Sequence, residues 1–309
     1  MRWEGRRESD NIEDRRGGDD GDDGGYQSGS GGGGHGGFPI RIGGGGIGTI
    51  IVVMIISWLF GINPMSLLGG DMSGQQIGPG PSQQQRQSAP GPVSRDQMTR
   101  FVSTVLADTE DRFQRLLPQQ LGKPYEEPKL VLFTNTTHSA CGMASQETGP
   151  FYCPADRKVY IDLGFYSELK TRFKAPGDFA QAYVIAHEVG HHIQNMLGIL
   201  PKVNAQRQRL PADQANALSV RVELQADCFS GVWAHHAARE RDFIEAGDIE
   251  EALNAASRIG DDAIQKTIRG YAMPDTFTHG SSEQRVRWFR TGFQSGDMRS
   301  CDTFSTQRL

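Results

Sequence analysis

An uncharged, strongly apolar stretch divides the chain into two parts of very different size. Residues 47–62 read IGTIIVVMIISWLFGI, and no charged residue occurs between positions 42 and 62. As a helix, these 21 residues are long enough to cross a hydrocarbon core of about 30 Å. Trp58 and Phe60 lie near one end, where aromatic side chains favour the membrane interface. No small-x-small cleavage site follows, so the sequence predicts one uncleaved transmembrane helix over residues 42–62.

The segments on either side of this helix have compositions that do not favour a core. Residues 1–41 combine many charges with a Gly/Asp run, and residues 63–93 are rich in Gly, Pro, Gln and Ser. Such segments bury too little apolar surface to offset the entropy lost on ordering. We therefore expect a disordered tail over residues 1–41, a flexible linker over 63–93 and one folded domain over 94–309.

Charge and cysteine positions predict where that domain lies. Arg41 precedes the apolar segment directly, whereas the first basic residue after it is Arg86, which favours an N-terminus inside the cytoplasm. All cysteines follow the apolar segment, and their even count fits disulfides in an oxidising compartment. The expected pairs, one of three possible connectivities, are Cys141–Cys153 and Cys228–Cys301. The sequence thus predicts a single-pass protein with an extracytoplasmic domain.

The folded part has the pattern of a helix-dominated α+β domain. Strand patterns occur at Lys129–Thr134 and Lys158–Leu163. Helices are expected at Met98–Leu117, Asp178–Leu197, Asp213–Arg239, Ile249–Ile259 and Ser282–Phe293. Two strands among long helices predict a small sheet packed with helices. The net charge of −5 and the lack of a basic stripe argue against nucleic-acid binding.

The strongest chemical signal lies in the second of these helices. His187 and His191 are four positions apart, so both side chains project from one helix face and can reach one metal ion. Glu188 is adjacent to the first histidine, where it can take a proton from water at the metal. The pattern predicts a site for one Zn²⁺ with Glu188 as the general base.

A catalytic zinc also needs a third protein ligand and one open position. Glu223 and Asp227 are four positions apart on a predicted helix, and like charges at this spacing are unfavourable unless a cation lies near them. The sequence therefore favours Glu223 as the third ligand and Asp227 as the acceptor that orients a ligand histidine. A solvated acidic helix face is the alternative. The other downstream candidates are Cys228, His235, His236 and His279.

Long blocks of the chain resemble a bacterial family of membrane-anchored neutral zinc metallopeptidases. The blocks are MRWEGRRESDN at the start, GPFYCPADRKVYIDLGFY (149–166), DFAQAYVIAHEVGHHIQ (178–194), SVRVELQADCFSGVWAH (219–235), GDIEEALNAASRIGDD (247–262) and DTFTHGSSEQRVRWF (275–289). The resemblance implies a zincin-like catalytic domain, Glu223 as the third ligand and protein or peptide substrates. It also implies a bacterial, membrane-anchored protein. Together with the charge and cysteine positions, this predicts the bacterial cytoplasmic membrane, with the domain in the periplasm. The resemblance implies no particular substrate or oligomeric state.

A shorter stretch is similar to a second group of enzymes. Thr278-His279-Gly280, with Arg285 six residues after the histidine, resembles a Thr-His-Pro motif in the prenyl-protein and heat-shock types of membrane metallopeptidase. The similarity implies that His279 donates a hydrogen bond to the oxyanion and that Arg285 supports the site. Gly280 stands where that motif has proline, so we expect a different turn here.

Two other functions fit the same residues. One is a non-catalytic membrane-tethered scaffold or chaperone with a structural zinc site, which would need four protein ligands. Cys228 would be the candidate fourth ligand, because it lies on the predicted ligand helix. The other is a protease that stays latent until it meets a partner.

Overall fold

The computed structural model describes residues 1–16, 96–239 and 243–309. The predicted transmembrane helix (42–62), the linker (63–93) and residues 17–41 of the predicted tail lie outside these ranges. Within them, no helix has both the length and the apolar character needed to cross a membrane.

The described residues form eight α-helices. They are α1 (Gln97–Leu121), α2 (Gly164–Thr171), α3 (Asp178–Met196), α4 (Ile199–Arg207), α5 (Ala212–Arg239), α6 (Asp248–Arg258), α7 (Asp261–Arg269) and α8 (Ser282–Ser295). The five predicted helices correspond to α1, α3, α5, α6 and α8, and their bounds agree within a few residues. The three short helices α2, α4 and α7 were not predicted. The helix-dominated α+β class is confirmed.

A small mixed sheet packs against these helices. Its strands are β1 (Ile12–Asp14), β2 (Lys129–Phe133), β5 (Phe151–Cys153) and β6 (Lys158–Asp162), in the order β1-β2-β6-β5. β1, β2 and β6 run parallel, with Val131 opposite Tyr160, while β5 is antiparallel to β6. The remaining strands, β3 (Thr136–Ser139) and β4 (Gly142–Ser145), form a separate hairpin. In the four-stranded sheet, β1 and β5 are therefore the edge strands.

The sheet is apolar on both faces, which explains the continuous apolar pattern of its central strands. Leu130 and Leu132 face the main core, whereas Val131 and Phe133 face a smaller cluster on the other side. This alternation follows from the period of two in strand side chains. The main core joins one sheet face to the helices, including Phe113, Leu117 and Tyr183.

Helix α5 runs through the domain between α3 and α8. Its contact with α8 is close: a Cβ atom at Gly231 would lie 2.1 Å from the carbonyl oxygen of Phe289, and one at Gly292 would lie 1.9 Å from that of Cys228. Only glycine, which has no Cβ atom, allows α5 and α8 to approach each other this closely. Cys228 is bonded to Cys301, and Cys141 is bonded to Cys153. Both predicted disulfides are therefore confirmed.

The prediction of a disordered tail over residues 1–41 is wrong for residues 1–16. β1 pairs with β2, and the backbone N–H of Ser9 donates to the carbonyl of Ser103. Glu110, which is buried on α1, accepts hydrogen bonds from Arg7 and Ser9 at 2.8 and 2.6 Å. Composition was misleading because this segment is held by strand pairing and by charges on the folded domain, not by burying its own apolar side chains.

The end of this segment lies next to the start of the domain. Arg16 Nη1 is 2.8 Å from the carboxylate of Asp96, the residue that caps α1. Residues 1–16, 96–239 and 243–309 are thus parts of one folded unit. A single membrane crossing between them would place β1 and β2 on opposite sides, so the predicted topology, with the N-terminus inside and the domain outside, is incompatible with this pairing.

We therefore expect residues 1–16 and the rest of the domain to lie in the same compartment. Glu4 and Gln307 are both exposed, so a cysteine at either position is accessible to a membrane-impermeant maleimide. In intact cells, Glu4→Cys and Gln307→Cys should be both labelled or both protected, with permeabilised cells as the control for reactivity. Labelling of only one position in intact cells would contradict the strand pairing.

Candidate metal centre

Three predicted ligands meet in the interior of the domain. The candidate ligand atoms of His187, His191 and Glu223 all lie within 4.8 Å of one another. Nε2 of His187 is 3.2 Å from one carboxylate oxygen of Glu223, and Nε2 of His191 is 3.5 Å from the other. α3 supplies both histidines and α5 supplies the glutamate, so the packing of these two helices creates the site.

The other nitrogen of each histidine ring is held by an oxygen. His187 Nδ1 donates to Asp227 Oδ1 at 2.9 Å, and His191 Nδ1 donates to Gln194 Oε1, also at 2.9 Å. The amide of Gln194 is itself oriented, because its nitrogen donates to the carbonyl of Val222 and to Gln225. Both rings therefore keep their Nε2 lone pairs for a metal, which is the arrangement that protein metal sites require.

The charges of the cluster favour a cation at its centre. Burial lowers the pKa of His187, but the carboxylates of Asp227 and Glu223 outweigh burial and raise it to about 10. Burial raises the pKa of Glu223, yet His191 and His279 hold it well below the usual value. The carboxylates of Asp227 and Glu223 thus stabilise a positive charge at His187. Two imidazoles and one carboxylate are a common donor set of catalytic zinc sites, so the residues present fit Zn²⁺.

Asp227 connects the metal ligands to the rest of the domain. Its carboxylate is fully buried and accepts from Arg285 Nε at 2.8 Å, Arg285 Nη2 at 2.9 Å and the Tyr183 hydroxyl at 2.5 Å, as well as from His187. Burial raises the pKa of Asp227, but Arg285 and His187 outweigh it and lower the pKa to about 2. The predicted role of Asp227 as the acceptor behind a ligand histidine agrees with this geometry, and Arg285 supports the site by pairing with Asp227.

The helices approach closely beside the ligands. A Cβ atom at Gly190 would lie 3.0 Å from Cα and 3.1 Å from the carbonyl oxygen of Ala226. Gly190 lies between the ligand histidines on α3, and Ala226 lies between Glu223 and Asp227 on α5. Small residues at both positions therefore let the two helices cross close enough for ligands from both to share one ion.

Glu188 lies in the same cleft as the three ligands, together with His279. Its side chain is buried, and burial raises the pKa of Glu188 despite the opposing charges of His191 and His187. A carboxylate with a raised pKa is a better proton acceptor than one in water. This environment suits the predicted role of general base.

His279 is held in the cleft by a residue that the sequence did not point to. Nδ1 of His279 is 3.2 Å from Asp261, and its side chain is 27% exposed. The other oxygen of Asp261 accepts from the backbone N–H groups of Thr278, His279 and Gly280. Burial lowers the pKa of His279, but Asp261 and Glu223 raise it overall, which favours a protonated ring that can donate a hydrogen bond.

The turn after His279 differs from a Thr-His-Pro turn, as expected. Gly280 has φ 94°, which a proline ring fixed near −65° cannot adopt. Its N–H donates to Asp261 at 3.0 Å, and proline has no N–H to donate. The glycine is therefore part of the way this chain presents His279.

Other predicted candidates do not reach the metal centre. Cys228 is disulfide-bonded and is not available as a ligand. His192, which was not a predicted ligand although it follows His191, contacts the Tyr152 hydroxyl and the backbone of Glu126. His235 and His236 contact backbone carbonyls near the end of α8. Among the described residues, the metal centre therefore has three protein ligands.

Three supporting residues were missed by sequence reasoning. They are Tyr183, Gln194 and Asp261, which hold Asp227, His191 and His279 respectively. Helical spacing contained a usable signal for Gln194, because it lies three residues after His191 on the same helix. The partners of Tyr183 and Asp261 are 44 and 18 positions away, so no local pattern identifies them.

A second group of acids is not a comparable metal site. Asp178, Asp248 and Glu251 lie together at the start of α3. The amino group of Met1 is 3.1 Å from Asp178 and 3.3 Å from Asp248, while Glu251 accepts from the backbone N–H of Phe179. A cation and an N–H donor therefore already satisfy these carboxylates.

Comparison with known proteins agrees with this centre. The family model described as "Putative neutral zinc metallopeptidase" matches residues 1–304. The chain belongs to this family. The Escherichia coli K12 protein named "Uncharacterized protein YpfJ" is 47% identical over 304 residues, covering 98% of this chain and 99% of that protein. "Uncharacterized protein Mb2605" of Mycobacterium bovis is 45% identical over 195 residues, covering 60% of this chain and 65% of that protein. No solved structure matched.

Family membership supports zinc as the metal and a peptidase as the general class of activity. The match begins at residue 1 and so includes the segment that forms β1. That agrees with residues 1–16 being a constituent of the folded domain.

We expect Asp227→Asn to weaken zinc binding by about 10- to 100-fold. The neutral amide is a weaker acceptor than the carboxylate for the Nδ1–H group of His187, so it orients this ligand ring less well. Zinc affinity is measured by competition with a chromogenic chelator, and circular dichroism checks the fold. Glu110→Gln is the matched control, since Glu110 is equally buried but lies on α1 away from the ligands. Equal zinc affinity of folded Asp227→Asn and wild type would contradict the assignment.

Proposed function

We propose that the protein is a zinc-dependent endopeptidase with a zincin-like catalytic domain. The observation that carries the proposal is the convergence of two Nε2 atoms and one carboxylate, each histidine ring held from behind, beside the buried Glu188. His187, His191 and Glu223 would hold the zinc. Three protein ligands leave a coordination position for water or substrate, as catalytic sites require.

Zinc, when bound, lowers the pKa of water to near 7 and polarises the carbonyl group of the peptide. Glu188 accepts the proton of the water molecule whose oxygen attacks the carbonyl carbon. The same carboxyl group then gives that proton to the nitrogen of the leaving amine as the C–N bond breaks. Burial of Glu188 suits both transfers, since a raised pKa makes it a stronger base and keeps it a usable acid.

His279 and Arg285 have distinct supporting roles in this proposal. His279, held by Asp261, donates a hydrogen bond to the carbonyl oxygen as that oxygen becomes negative, an effect typically worth about 3 kcal/mol. Arg285 acts through Asp227 by fixing the carboxylate that orients His187. It is a positioning residue.

The location of the protein is also proposed. Two disulfides in one domain fit an oxidising compartment, so we place the catalytic domain outside the cytoplasm, with residues 1–16 beside it. Association with the bacterial cytoplasmic membrane stays a prediction, because residues 42–62 lie outside the described ranges. A single crossing by these residues is not part of the proposal, since it would separate residues 1–16 from the domain.

The scaffold or chaperone alternative has less support. A structural zinc site uses four protein ligands, and the described residues bring together three. Cys228, the candidate fourth ligand, is bonded to Cys301. A buried general base also has no role in a purely structural site.

The decisive comparison is between wild type and Glu188→Gln. We expect the variant to retain one zinc ion per chain but to lose about 10²- to 10⁴-fold in kcat, because the amide cannot accept the proton. Zinc content is measured by mass spectrometry of the metal, and cleavage is measured on a mixture of peptides and unfolded proteins. Wild type treated with a chelator should lose cleavage and regain it with added zinc.

Glu250→Gln serves as the control, because Glu250 is exposed on α6 and takes no part in the site. Its activity should equal that of wild type. Retained turnover in metal-loaded Glu188→Gln, above the chelated background, would rule out Glu188 as the general base.

A further inference from the structure

The cleft that contains the metal ligands extends well beyond them. It has a cavity volume of about 200 Å³, with His187, Glu188 and His191 contributing to its lining. Away from these residues the lining comes from residues 146–151, which include the polar side chains Gln146 and Glu147, and from two largely apolar surfaces. α2 and the residues after it supply Phe165 and Phe173, and the region of α7 supplies Ile259, Ile264 and Ile268.

The wall formed by α2 is a firm aromatic surface. The rings of Phe165 and Phe173 are 6.3 Å apart between centroids, and both pack in part against the main core. The charged residues of this wall offset each other, since Arg172 is 3.5 Å from Glu168. The Arg172 guanidinium also lies 5.5 Å from the centre of the Phe173 ring. This wall therefore presents aromatic carbon without an isolated charge.

The wall formed by α7 presents aliphatic side chains. Ile264 and Ile268 are four positions apart and lie on the same face of this helix. Ile268 is 44% exposed although it is large and apolar. An isoleucine that lines a cleft and remains this exposed leaves apolar surface for a ligand to cover.

The start of α7 is fixed next to the proposed reaction site. Asp261 holds the backbone from Thr278 to Gly280, and Asp262 accepts from the N–H and hydroxyl of Ser282, both at 2.7 Å. The α7 wall is thus attached to the same loop that presents His279. A group between the two walls lies in one continuous cleft with the metal ligands and the general base.

From these contacts we infer that the space between α2 and α7 binds a large apolar side chain, aromatic or branched, of the peptide being cleaved. The inference rests on the proposed peptidase function and adds a substrate preference to it. The occupant is a substrate side chain because the cleft is continuous with the groups that would act on the adjacent peptide bond. A charged side chain there would lose water, while the charges of the α2 wall are already paired with each other.

The test uses Ile268→Glu and a matched control, Met273→Glu. Met273 is exposed to a similar degree, 41%, but is not part of the cleft lining. Cleavage sites in a random peptide mixture are first mapped for wild type, and peptide pairs differing only by Phe or Ser at the preferred position are then compared. Ile268→Glu should lower kcat/KM for the Phe peptide about tenfold and reduce the Phe/Ser ratio, whereas Met273→Glu should change neither.

The result that would overturn the inference is cleavage by wild type with no apolar preference at any position near the cut bond. An equal effect of both glutamate variants would overturn it too. Ile268→Thr, a milder change, gives the same readout if Ile268→Glu does not fold, and it should lower the Phe/Ser ratio in the same direction.

A binding measurement separates this inference from the proposed function. Calorimetry with zinc-loaded Glu188→Gln compares the Phe and Ser peptides without turnover. Tighter binding of the Phe peptide, weakened by adding Ile268→Glu, would support the apolar subsite even if wild type hydrolyses nothing. Hydrolysis without preference and without differential binding would leave the peptidase proposal standing and remove the subsite.

Discussion

The buried carboxylate of Asp227 is the interaction on which the organisation of the centre depends. Transferring a lone carboxylate into a protein interior is very unfavourable unless its oxygens are paired. Here a two-pronged contact from Arg285 and further donors from Tyr183 and His187 satisfy both oxygens. Because these partners lie on α3 and α8 while Asp227 lies on α5, one charge fixes three helices and the tautomer of a metal ligand together.

A hydrogen-bond acceptor that orients a histidine ring occurs three times around the cleft. Each of the three functional imidazoles has an oxygen acceptor behind it: Asp227 for His187, Gln194 for His191 and Asp261 for His279. The neutral amide behind His191 and the carboxylates behind the other two give the rings different charge environments. The two ligand rings turn their free nitrogens toward one point, while His279 lines the cleft beside them. Orientation is therefore supplied by residues that need not touch a substrate.

Sequence reasoning succeeded where the information was local. His187, Glu188 and His191 lie within one helical turn, and Glu223 and Asp227 are one turn apart, so helix geometry alone places each group on a common face. The same reasoning failed for residues 1–16. Their composition resembles a disordered tail, but Arg7 and Ser9 bind the buried Glu110 and β1 completes an edge of the sheet. Partners that distant in sequence leave no local pattern.

The sequence by itself predicted the α+β class, the five longer helices, the two central strands and the pair of ligand histidines, because periodicity and spacing act over a few residues. The cysteine pairing and the third ligand, Glu223, were expectations that alternatives in the sequence left open. Only the tertiary structure decided that Glu223 meets the two histidines, that Tyr183 and Arg285 share Asp227, and that Asp261 holds His279. It also decided that apolar side chains of α2 and α7 line the same cleft as the metal ligands. These contacts arise from close helix crossings, such as that of Gly190 with Ala226, whose geometry depends on packing of the whole domain.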